Sequence, residues 1–399
     1  MRILVHDYGG YAFAVQLSRS LAQRGHRVCH AYCASLQTTP RGVLRHHADD
    51  APGLEIKGLE LAEPLEKYAF VKRWKQEREY GCLIAREVER FGPDVVLSAN
   101  APLDAQQRLL RTCRGRGIPF VFWLQDLIGI ATHRILRKKI PVLGEVVGRY
   151  YRGLERTLLR QSDAVVAITE DFRPILRTYA VDEARMHVIE NWAPLDDVPV
   201  RPKANAWAEA HHLADKICLL YSGTMGMKHN PDLVLQLALH FRHRDDLRVV
   251  VVSQGLGADW LTEKKATHGL DNLIVLGFQP FEALPEVLAT ADVLMAVLEP
   301  EAGAFSVPSK VLTYLCAARP VLLAVPPENL AARIVARIEA GRIVPPTDPA
   351  AFVDAAAALL ADPEQRRAMG RNARAYAEKT FDIDTITDSF EEMFKCLGV

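Results

Sequence analysis

Short runs of apolar residues alternate with longer amphipathic stretches along this chain, and the alternation starts again past its midpoint. Because most of these runs are apolar at consecutive positions, they are typical of parallel strands that helices cover on both faces. At 399 residues the chain is too long for one ordinary hydrophobic core and suits two. The sequence therefore predicts an α/β protein with two Rossmann-like, doubly wound domains.

The predicted strands fall into two groups of similar spacing. Those of the first half are Ile3–His6, Val28–Tyr32, Val95–Ser98, Phe120–Trp123 and Ala164–Ile168. Those of the second half are Cys218–Ser222, Arg248–Ser253, Leu273–Leu276, Val293–Ala296, Pro320–Ala324 and a short one at Ile343 and Val344. Open parallel sheets bind ligands beyond the carboxyl ends of their strands. We therefore expect two sheets that face a central cleft, with the chemistry in the strand-end loops.

A proline-rich linker separates the two groups of strands. The segment from Asn191 to Lys203 reads NWAPLDDVPVRPK and follows neither helical nor strand periodicity, and its prolines disfavour both structures. We therefore predict a first domain over residues 1–195 and a second over 196–380. The last segment, 381–399, is predicted to form a helix that crosses back to the first domain.

Composition argues against several classes of protein. The 49 basic and 49 acidic residues balance, whereas a dedicated nucleic-acid binder normally carries a basic excess. The seven cysteines lack the paired spacing of a disulfide framework or a zinc site, and no metal is expected. Met1 leads directly into a strand-like run without a signal-peptide pattern, and no run reaches 18 apolar residues. We therefore expect a cytoplasmic protein with peripheral membrane contact at most.

The segment 133–161 is the strongest candidate for such a contact. It carries eight arginines and lysines among isoleucine, leucine, valine and tyrosine residues. Basic amphipathic segments are typical of surfaces that lie on anionic membranes. A solvated helix face is the alternative.

Two loops of the first half follow strand ends. After the strand that ends at His6, Gly9 and Gly10 precede a helix that begins near Tyr11. There the backbone can approach a polar or anionic ligand, and a tight turn without a ligand is the alternative. Asp126 ends the aromatic run FWLQD. Its carboxylate is expected either to accept a hydrogen bond from a hydroxyl or act as a base, or to cap the next turn.

Two loops of the second half have the composition of anion-binding sites. Gly223 and Lys228 lie in the turn YSGTMGMKHNP, where a glycine backbone and a cation suit a diphosphate. Pro308, Ser309 and Lys310 begin a helix, and a lysine beside the positive end of a helix indicates an anionic ligand. In both loops a solvated lysine is the alternative.

Seven motifs in a fixed order extend over nearly the whole chain. They are FWLQDL (122–127), SDAVVAITEDF (162–172), VIENWAP (188–194), YSGTMGMKHNPDL (221–233), LIVLGFQPFEALPEVLATADVLMAVL (273–298), VPSKVLTYLCAARPV (307–321) and MGRNARAYAEKTFD (369–382). Their order and spacing resemble glycosyltransferase family 4, the retaining enzymes of the GT-B fold. The resemblance is closest to the subgroup that builds capsule, O-antigen and colanic-acid-type polysaccharides.

The resemblance implies that the second domain holds a nucleoside-diphosphate sugar and that the first domain faces an acceptor hydroxyl. The residues that match the donor site are Gly223, Lys228, Gly255, Ser309 and Lys310. Those expected on the acceptor side are Gly9, Gly10, Asn100 and Asp126, with Asp126 or His6 orienting the acceptor. The family implies transfer with retention and without a metal or cofactor. The expected acceptor is a saccharide, in particular a lipid-linked one at the inner face of the plasma membrane, for bacterial surface polysaccharides.

Two departures from the family pattern leave alternatives open. The signature of two glutamates eight residues apart falls at Phe305 and Thr313, neither of which is acidic, and Glu301 in the preceding loop is the expected replacement. Thr224 stands where the family usually has an arginine beside the phosphates. The alternatives to a glycosyltransferase are a non-catalytic nucleotide-sugar-binding or scaffold subunit and a GT-B sugar-nucleotide epimerase.

Overall fold

The chain forms two compact units. The computed structural model describes residues 1–36, 41–65, 69–99, 101–299 and 309–399, with the side chains of Lys139 and Lys228 left out of the description. The first unit comprises residues 1–191 and 383–399, and the second comprises 192–382. The division therefore lies between Asn191 and Trp192, whereas the sequence-based boundary lies at 195.

A seven-stranded parallel sheet forms the centre of the first unit. Its strands are β1 (Arg2–Asp7), β2 (Arg27–Cys33), β3 (Leu54–Leu59), β4 (Val95–Ala99), β5 (Phe120–Leu124), β6 (Ala164–Ala167) and β7 (Met186–Val188). Its helices up to residue 191 are α1 (Ala12–Gln23), α2 (Phe70–Phe91), α3 (Leu103–Gly115), α4 (Ile128–Lys139), α5 (Pro141–Gln161) and α6 (Arg173–Thr178). The strands lie in the order β3-β2-β1-β4-β5-β6-β7, and every neighbouring pair is parallel.

The second unit repeats this plan with six parallel strands in the order β10-β9-β8-β11-β12-β13. The strands are β8 (Ile217–Ser222), β9 (Leu247–Val252), β10 (Leu273–Leu276), β11 (Val293–Val297), β12 (Val321–Ala324) and β13 (Gly341–Val344). The helices are α7 (Ala206–Ala210), α8 (Pro231–His240), α9 (Leu256–His268), α10 (Leu284–Ala289), α11 (Ser309–Cys316), α12 (Leu330–Arg337), α13 (Pro349–Ala361) and α14 (Pro363–Thr380). The two parallel sheets confirm the predicted α/β class.

Strand order reverses beside one strand of each sheet. In the first unit β1 lies between β2 and β4, and in the second β8 lies between β9 and β11. At such a reversal the connections leave the sheet in opposite directions, so a crevice opens at the carboxyl end of the strand. The loops after β1 and β8 are therefore the places in each unit where a ligand site is expected.

The structure corrects the sequence-based elements in two places. Strands β3 and β7 were not predicted: β3 is an edge strand with half-exposed residues at its centre, and β7 has only three residues. β1 continues through Asp7 instead of ending at His6. The basic segment 133–161 falls on two helices, α4 and α5, which lie on either side of Ile140.

The C-terminal helix α15 (Ile383–Cys396) belongs to the first unit. Phe390 is fully buried there, with its ring centroid 5.1 Å from that of Trp123 on β5. At the end of α1, the guanidinium of Arg24 donates to Asp388 at 2.5 Å and to Glu391 at 3.0 Å. Apolar burial and an ion-pair network thus both hold α15 on this unit.

We predict that Phe390→Ala lowers the free energy of unfolding of the first unit by about 3–5 kcal/mol, because it removes a buried ring and leaves a cavity beside Trp123. Urea denaturation followed by near-ultraviolet circular dichroism measures the change. Glu392→Ala, at an exposed position of the same helix, is the control and is expected to change stability by less than about 0.5 kcal/mol. Equal midpoints for the two variants would contradict a structural role for α15.

Candidate functional site

Two glycine-containing turns contact each other backbone to backbone at the carboxyl edge of the second sheet. In the turn after β8, Gly223 N–H donates to Val252 C=O at 3.0 Å. At the start of α9, Gly257 N–H donates to Met225 C=O at 2.9 Å. Gly255 has φ +119° and lies so close that a Cβ there would be 2.9 Å from the Met225 carbonyl oxygen. Only glycine suits this position. Because it has no side chain, the two turns can approach each other this closely.

A tyrosine of α11 attaches that helix to the end of β8. The Tyr314 hydroxyl donates to Ser222 C=O at 2.8 Å and accepts from Ser222 N–H at 2.9 Å. Burial raises the pKa of Tyr314 above its ordinary value, so the phenol stays protonated and keeps both hydrogen bonds. Because residues four apart lie on one face of a helix, this contact also directs Lys310 toward the end of β8.

The Lys310 ammonium lies against the turn after β8. It donates to the hydroxyl of Tyr221 and lies 4.0 Å from the centroid of that ring, a cation–π geometry. Its second acceptor is Thr224 C=O at 3.4 Å, and a Cβ on Gly223 would be 3.3 Å from Lys310 Cε. Burial raises the pKa of Tyr221 well above its ordinary value, so a neutral phenol holds the lysine. The arrangement places a fixed positive charge beside a glycine turn, which is chemically suited to a phosphate.

The remaining donor-side candidates are partly described. Ser309 is exposed in the first turn of α11. The backbone of Lys228 lies in a short 3-10 turn, Met227–His229, and its side chain is outside the described atoms. His229, which was not predicted, accepts from Gly226 N–H through Nδ1 at 2.9 Å. Thr313, where the family pattern has a glutamate, is half-buried in α11. Glu301, Phe305, Pro308 and Asn100 lie outside the described residues.

The corresponding loop of the first unit is closed by the chain's own groups. The Asp7 carboxylate accepts from Gly9 N–H at 3.2 Å and from Tyr11 N–H at 2.5 Å, just before α1 begins. Gly9 and Gly10 are buried, and a Cβ on Gly10 would be 2.7 Å from Leu44 Cδ1. The two glycines therefore form a tight turn, and Asp7 supplies a negative charge at the helix start.

His6 lies in the core, which corrects its expected position beside an acceptor. It is fully buried, with Nδ1 2.7 Å from Ser98 Oγ and Nε2 3.0 Å from the Tyr80 hydroxyl. Ser98 Oγ donates its proton to Gln106 at 2.8 Å, so the neutral ring donates from Nδ1 and accepts at Nε2. Burial lowers the pKa of His6 to about 3. We conclude that His6 holds a buried polar network as a neutral side chain.

Asp126 is exposed directly after β5, where the sequence predicts it. The preceding Gln125 is buried and forms a reciprocal amide pair with Asn191, with N–O distances of 3.2 and 2.6 Å. Asn191 was not predicted, although it lies in the quoted motif VIENWAP. The amide pair fixes the backbone from which the Asp126 carboxylate projects.

A buried carboxylate anchors α4 immediately after this loop. Glu155 on α5 accepts from Gly129 N–H in the first turn of α4 at 2.7 Å, and the Tyr179 hydroxyl donates to it at 3.4 Å. Burial raises the pKa of Glu155 to about 7. The carboxyl group therefore titrates near neutral pH while it connects the two helices.

One group of side chains in the described part of the chain has the spacing of a metal site. The ligand atoms of Cys29, Glu55 and Glu87 lie within 4.8 Å of one another. Arg90 already donates to Glu55 at 2.6 Å and to Glu87 at 2.5 Å. Burial also raises the pKa of Cys29, which keeps the thiol in its non-ligating form. We assign this group a structural role.

Comparisons with known proteins match both halves of the chain. Residues 9–192 match the family described as "Glycosyl transferase 4-like domain", and residues 204–376 match "Glycosyl transferases group 1". An alpha-D-kanosaminyltransferase from Streptomyces kanamyceticus is 23% identical over 290 residues, which cover 71% of this chain and 72% of that protein.

Solved structures resemble the chain over nearly its full length. Sucrose-phosphate synthase from Thermosynechococcus elongatus has a TM-score of 0.76 at 18% identity, covering 100% of this chain and 99% of that one. Anabaena HepE in complex with UDP has 0.70 at 15% identity, covering 99% and 100%. WaaG, a glycosyltransferase involved in lipopolysaccharide biosynthesis, has 0.68 at 16% identity, covering 97% of each chain. These likenesses confirm the predicted GT-B fold.

Glu155 generates a prediction on stability and pH. Because its folded-state pKa of about 7 exceeds the ordinary value of 4.5, the folded chain holds a proton that the unfolded chain releases. The contribution of this group to stability is therefore largest below about pH 4.5 and falls as the pH rises to about 7. Glu155→Gln keeps the shape without the charge, so we expect it to melt at a higher temperature than the parent at pH 8 and at a similar one at pH 5.

Differential scanning calorimetry at the two pH values measures this difference. Glu392→Gln, at an exposed position, serves as the control and is expected to change the melting temperature equally little at both. A Glu155→Gln protein that melts below the parent at pH 8 would show that the ionised carboxylate is the stabilising form.

Proposed function

Because this chain belongs to the GT-B glycosyltransferases of the family 4/1 type, we propose that it transfers a sugar from a nucleoside-diphosphate sugar to an acceptor hydroxyl. The observation that carries the proposal is the Lys310 ammonium held against the Gly223 turn. A fixed cation beside a glycine turn and a helix start suits the diphosphate of such a donor.

The proposed donor site consists of the loops at the carboxyl ends of β8 and β9 and the start of α11. Gly223 and Gly255 provide close backbone approach, Lys310 provides charge, and Ser309 provides an exposed hydroxyl. We assign Lys228 to the same diphosphate. One neighbour of the same fold, HepE, was solved with UDP and with UDP-glucose, which supports a nucleotide sugar as the ligand.

In the proposed reaction, the bond from the sugar C1 to the diphosphate oxygen breaks and a bond from C1 to the acceptor oxygen forms. The acceptor proton passes to an oxygen of the leaving phosphate, and the configuration at C1 is retained. Negative charge grows on the leaving diphosphate, and a preorganised cation stabilises it without reorganising at that moment. We propose that Lys310 acts in this way and that no divalent metal or cofactor takes part. Asp126 and Asn100 are assigned to the acceptor side, and Glu301 is assigned to the place of the two missing glutamates.

We propose a saccharide acceptor, carried on a lipid at the inner face of a bacterial membrane and used for surface polysaccharide. The basic segment 133–161 supports peripheral contact with that membrane. A neighbour in lipopolysaccharide biosynthesis has the same fold, which is compatible with this acceptor class.

A non-catalytic nucleotide-sugar-binding subunit is the second candidate. The observation that favours it is the absence of acidic residues at Phe305 and Thr313, where the family resemblance has two glutamates. Both candidates bind a nucleotide, and turnover separates them.

Lys310→Gln is predicted to weaken binding of UDP or GDP about 10- to 100-fold, because hydrogen bonds from a charged group are worth about 1.5–3 kcal/mol. Isothermal titration calorimetry measures the dissociation constants. Lys379→Gln, the same change at an exposed position of α14, is expected to leave them unchanged. Equal affinities for Lys310→Gln and the parent would overturn the phosphate assignment.

We predict that the full chain releases nucleoside diphosphate from one member of a panel of UDP-, GDP- and ADP-sugars only when a lipid-linked saccharide fraction is added. A coupled assay for the released diphosphate, with mass spectrometry of the lengthened lipid-linked saccharide, measures this transfer. Nucleotide binding without release in any combination would favour the non-catalytic subunit. Conversion of the donor itself to an epimer would indicate the epimerase.

A further inference from the structure

Helices α4 and α5 present a cluster of exposed apolar side chains around the break between them. Six large apolar residues there are between 51% and 84% exposed, with Val142 the most exposed. They are Ile135, Ile140, Val142, Leu143, Val146 and Tyr150. We refer to residues 128–161 as the hairpin and to residues 140–146 as its tip.

The two helices of the hairpin approach each other most closely on a different face. They contact through two buried glycines of α5, four residues apart. A Cβ on Gly144 would be 2.1 Å from Leu136 C=O, and one on Gly148 would be 2.4 Å from the His133 ring. The backbones therefore approach closely on the glycine face, while Val142 and Leu143 remain on the outside.

Hydrogen bonds within the hairpin hold its two helices together, and Tyr151 donates from its hydroxyl to Asp104 on α3 at 2.8 Å, so the exposed tip has a defined position. At its base Glu155 accepts from Gly129 N–H at 2.7 Å. Nearer the tip, His133 Nε2 is 3.0 Å from a Glu145 carboxylate oxygen. At the break, Gly144 N–H donates to Ile140 C=O at 2.6 Å. The apolar cluster thus lies on an ordered surface.

The surface around the tip is basic. The hairpin contains eight arginines and lysines against two glutamates. Of the glutamates, Glu155 is buried and Glu145 is hydrogen-bonded to Arg149 at 2.7 Å. The exposed cations with described side chains are Arg134, Arg137, Lys138, Arg149, Arg152, Arg156 and Arg160. Apolar residues at a tip with cations around them match the hydrocarbon edge and the anionic headgroups of a lipid leaflet.

We infer that the hairpin inserts its tip into the interface of an anionic membrane, with its arginines and lysines on the lipid headgroups. A second copy of this chain fits less well, because two hairpins would bring like charges together. Among the helices in the described ranges, none has the length and hydropathy to cross a bilayer, so the inference concerns a contact at one leaflet. It deepens the proposed function, because it names the surface by which an enzyme with a lipid-linked acceptor reaches that acceptor.

Flotation of the full chain with vesicles of phosphatidylglycerol and phosphatidylethanolamine tests the inference, with phosphatidylcholine vesicles as the neutral comparison. We expect binding to the anionic vesicles only. The double variant Val142→Asp/Leu143→Asp is expected to weaken it at least tenfold. Val200→Asp, at a residue of the second unit that is 49% exposed, is the matched control and is expected to bind like the parent. Arg134→Gln is expected to weaken binding about fivefold, the equivalent of about 1 kcal/mol for one cation at the surface.

Insertion is tested separately from attraction by charge. A tryptophan placed by Val142→Trp is expected to be quenched by lipids brominated near the headgroup end of their chains, whereas the parent's own tryptophans are not. The inference would be overturned if the brominated lipids left the fluorescence of the Val142→Trp variant unchanged. It would also be overturned if the Val142→Asp/Leu143→Asp variant and the parent bound vesicles equally. Light scattering that shows a dimer of the parent that this variant loses would overturn it as well, because a second copy would then occupy the tip.

The outcome is independent of the nucleotide site. UDP and GDP affinities of the Val142→Asp/Leu143→Asp variant are expected to equal those of the parent, which also shows that the variant is folded. Loss of vesicle binding with retained nucleotide binding supports the hairpin inference. If the parent binds anionic vesicles through the tip but shows no sugar transfer, the proposed function is contradicted and the membrane contact is still supported.

Discussion

The Tyr314 phenol hydrogen bonds to both the N–H and the C=O of Ser222, and the geometry of the proposed donor site follows from this contact. A strand end inside a protein leaves polar backbone groups that need partners, and here one side chain satisfies two of them. Because the partner is a helix residue, the helix start is fixed relative to the strand end. Lys310, one turn earlier on the same face, then has its position determined before any ligand binds. Preorganisation of this kind is what makes a cation effective toward a developing charge.

The two units have the same reversal of strand order, yet they use it differently. Beside β8 a lysine lies on a glycine turn, whereas beside β1 the carboxylate of Asp7 accepts from the N–H groups of Gly9 and Tyr11. The positive end of a helix stabilises negative charge, and in the first unit the chain supplies that charge itself. The strand order therefore determines where an anion site can form. The charge of the side chains in the loop then determines whether a ligand from outside the chain can bind there. This reasoning favours the second unit as the donor-binding half.

Most of the fold could be predicted from the sequence because central parallel strands are buried on both faces and appear as continuous apolar runs. The edge strand β3 has polar residues at its centre, so it gives no such signal. At the site, turn composition was enough to select Gly223 and Lys310. It did not select Tyr314, because a tyrosine inside an apolar helix resembles a core residue until its hydroxyl partner is known. The available signal was that Tyr314 lies four residues after Lys310 and therefore on the same face of the helix. Similarly, His6 appears at a strand end in the sequence, and only the buried partners of its ring show that it belongs to the core.

The glycines of the hairpin explain how an apolar tip remains exposed in an ordered structure. Helix pairs normally bury their large aliphatic residues against each other, and that burial is the main source of their stability. At Gly144 and Gly148 the backbones themselves come together, so part of the contact between α4 and α5 needs no large side chain. Glu155 replaces part of the lost stabilisation by satisfying the start of α4 from within α5. The valine and leucine side chains of the tip are then available to a surface outside the protein, and the surrounding arginines restrict that surface to a negatively charged one.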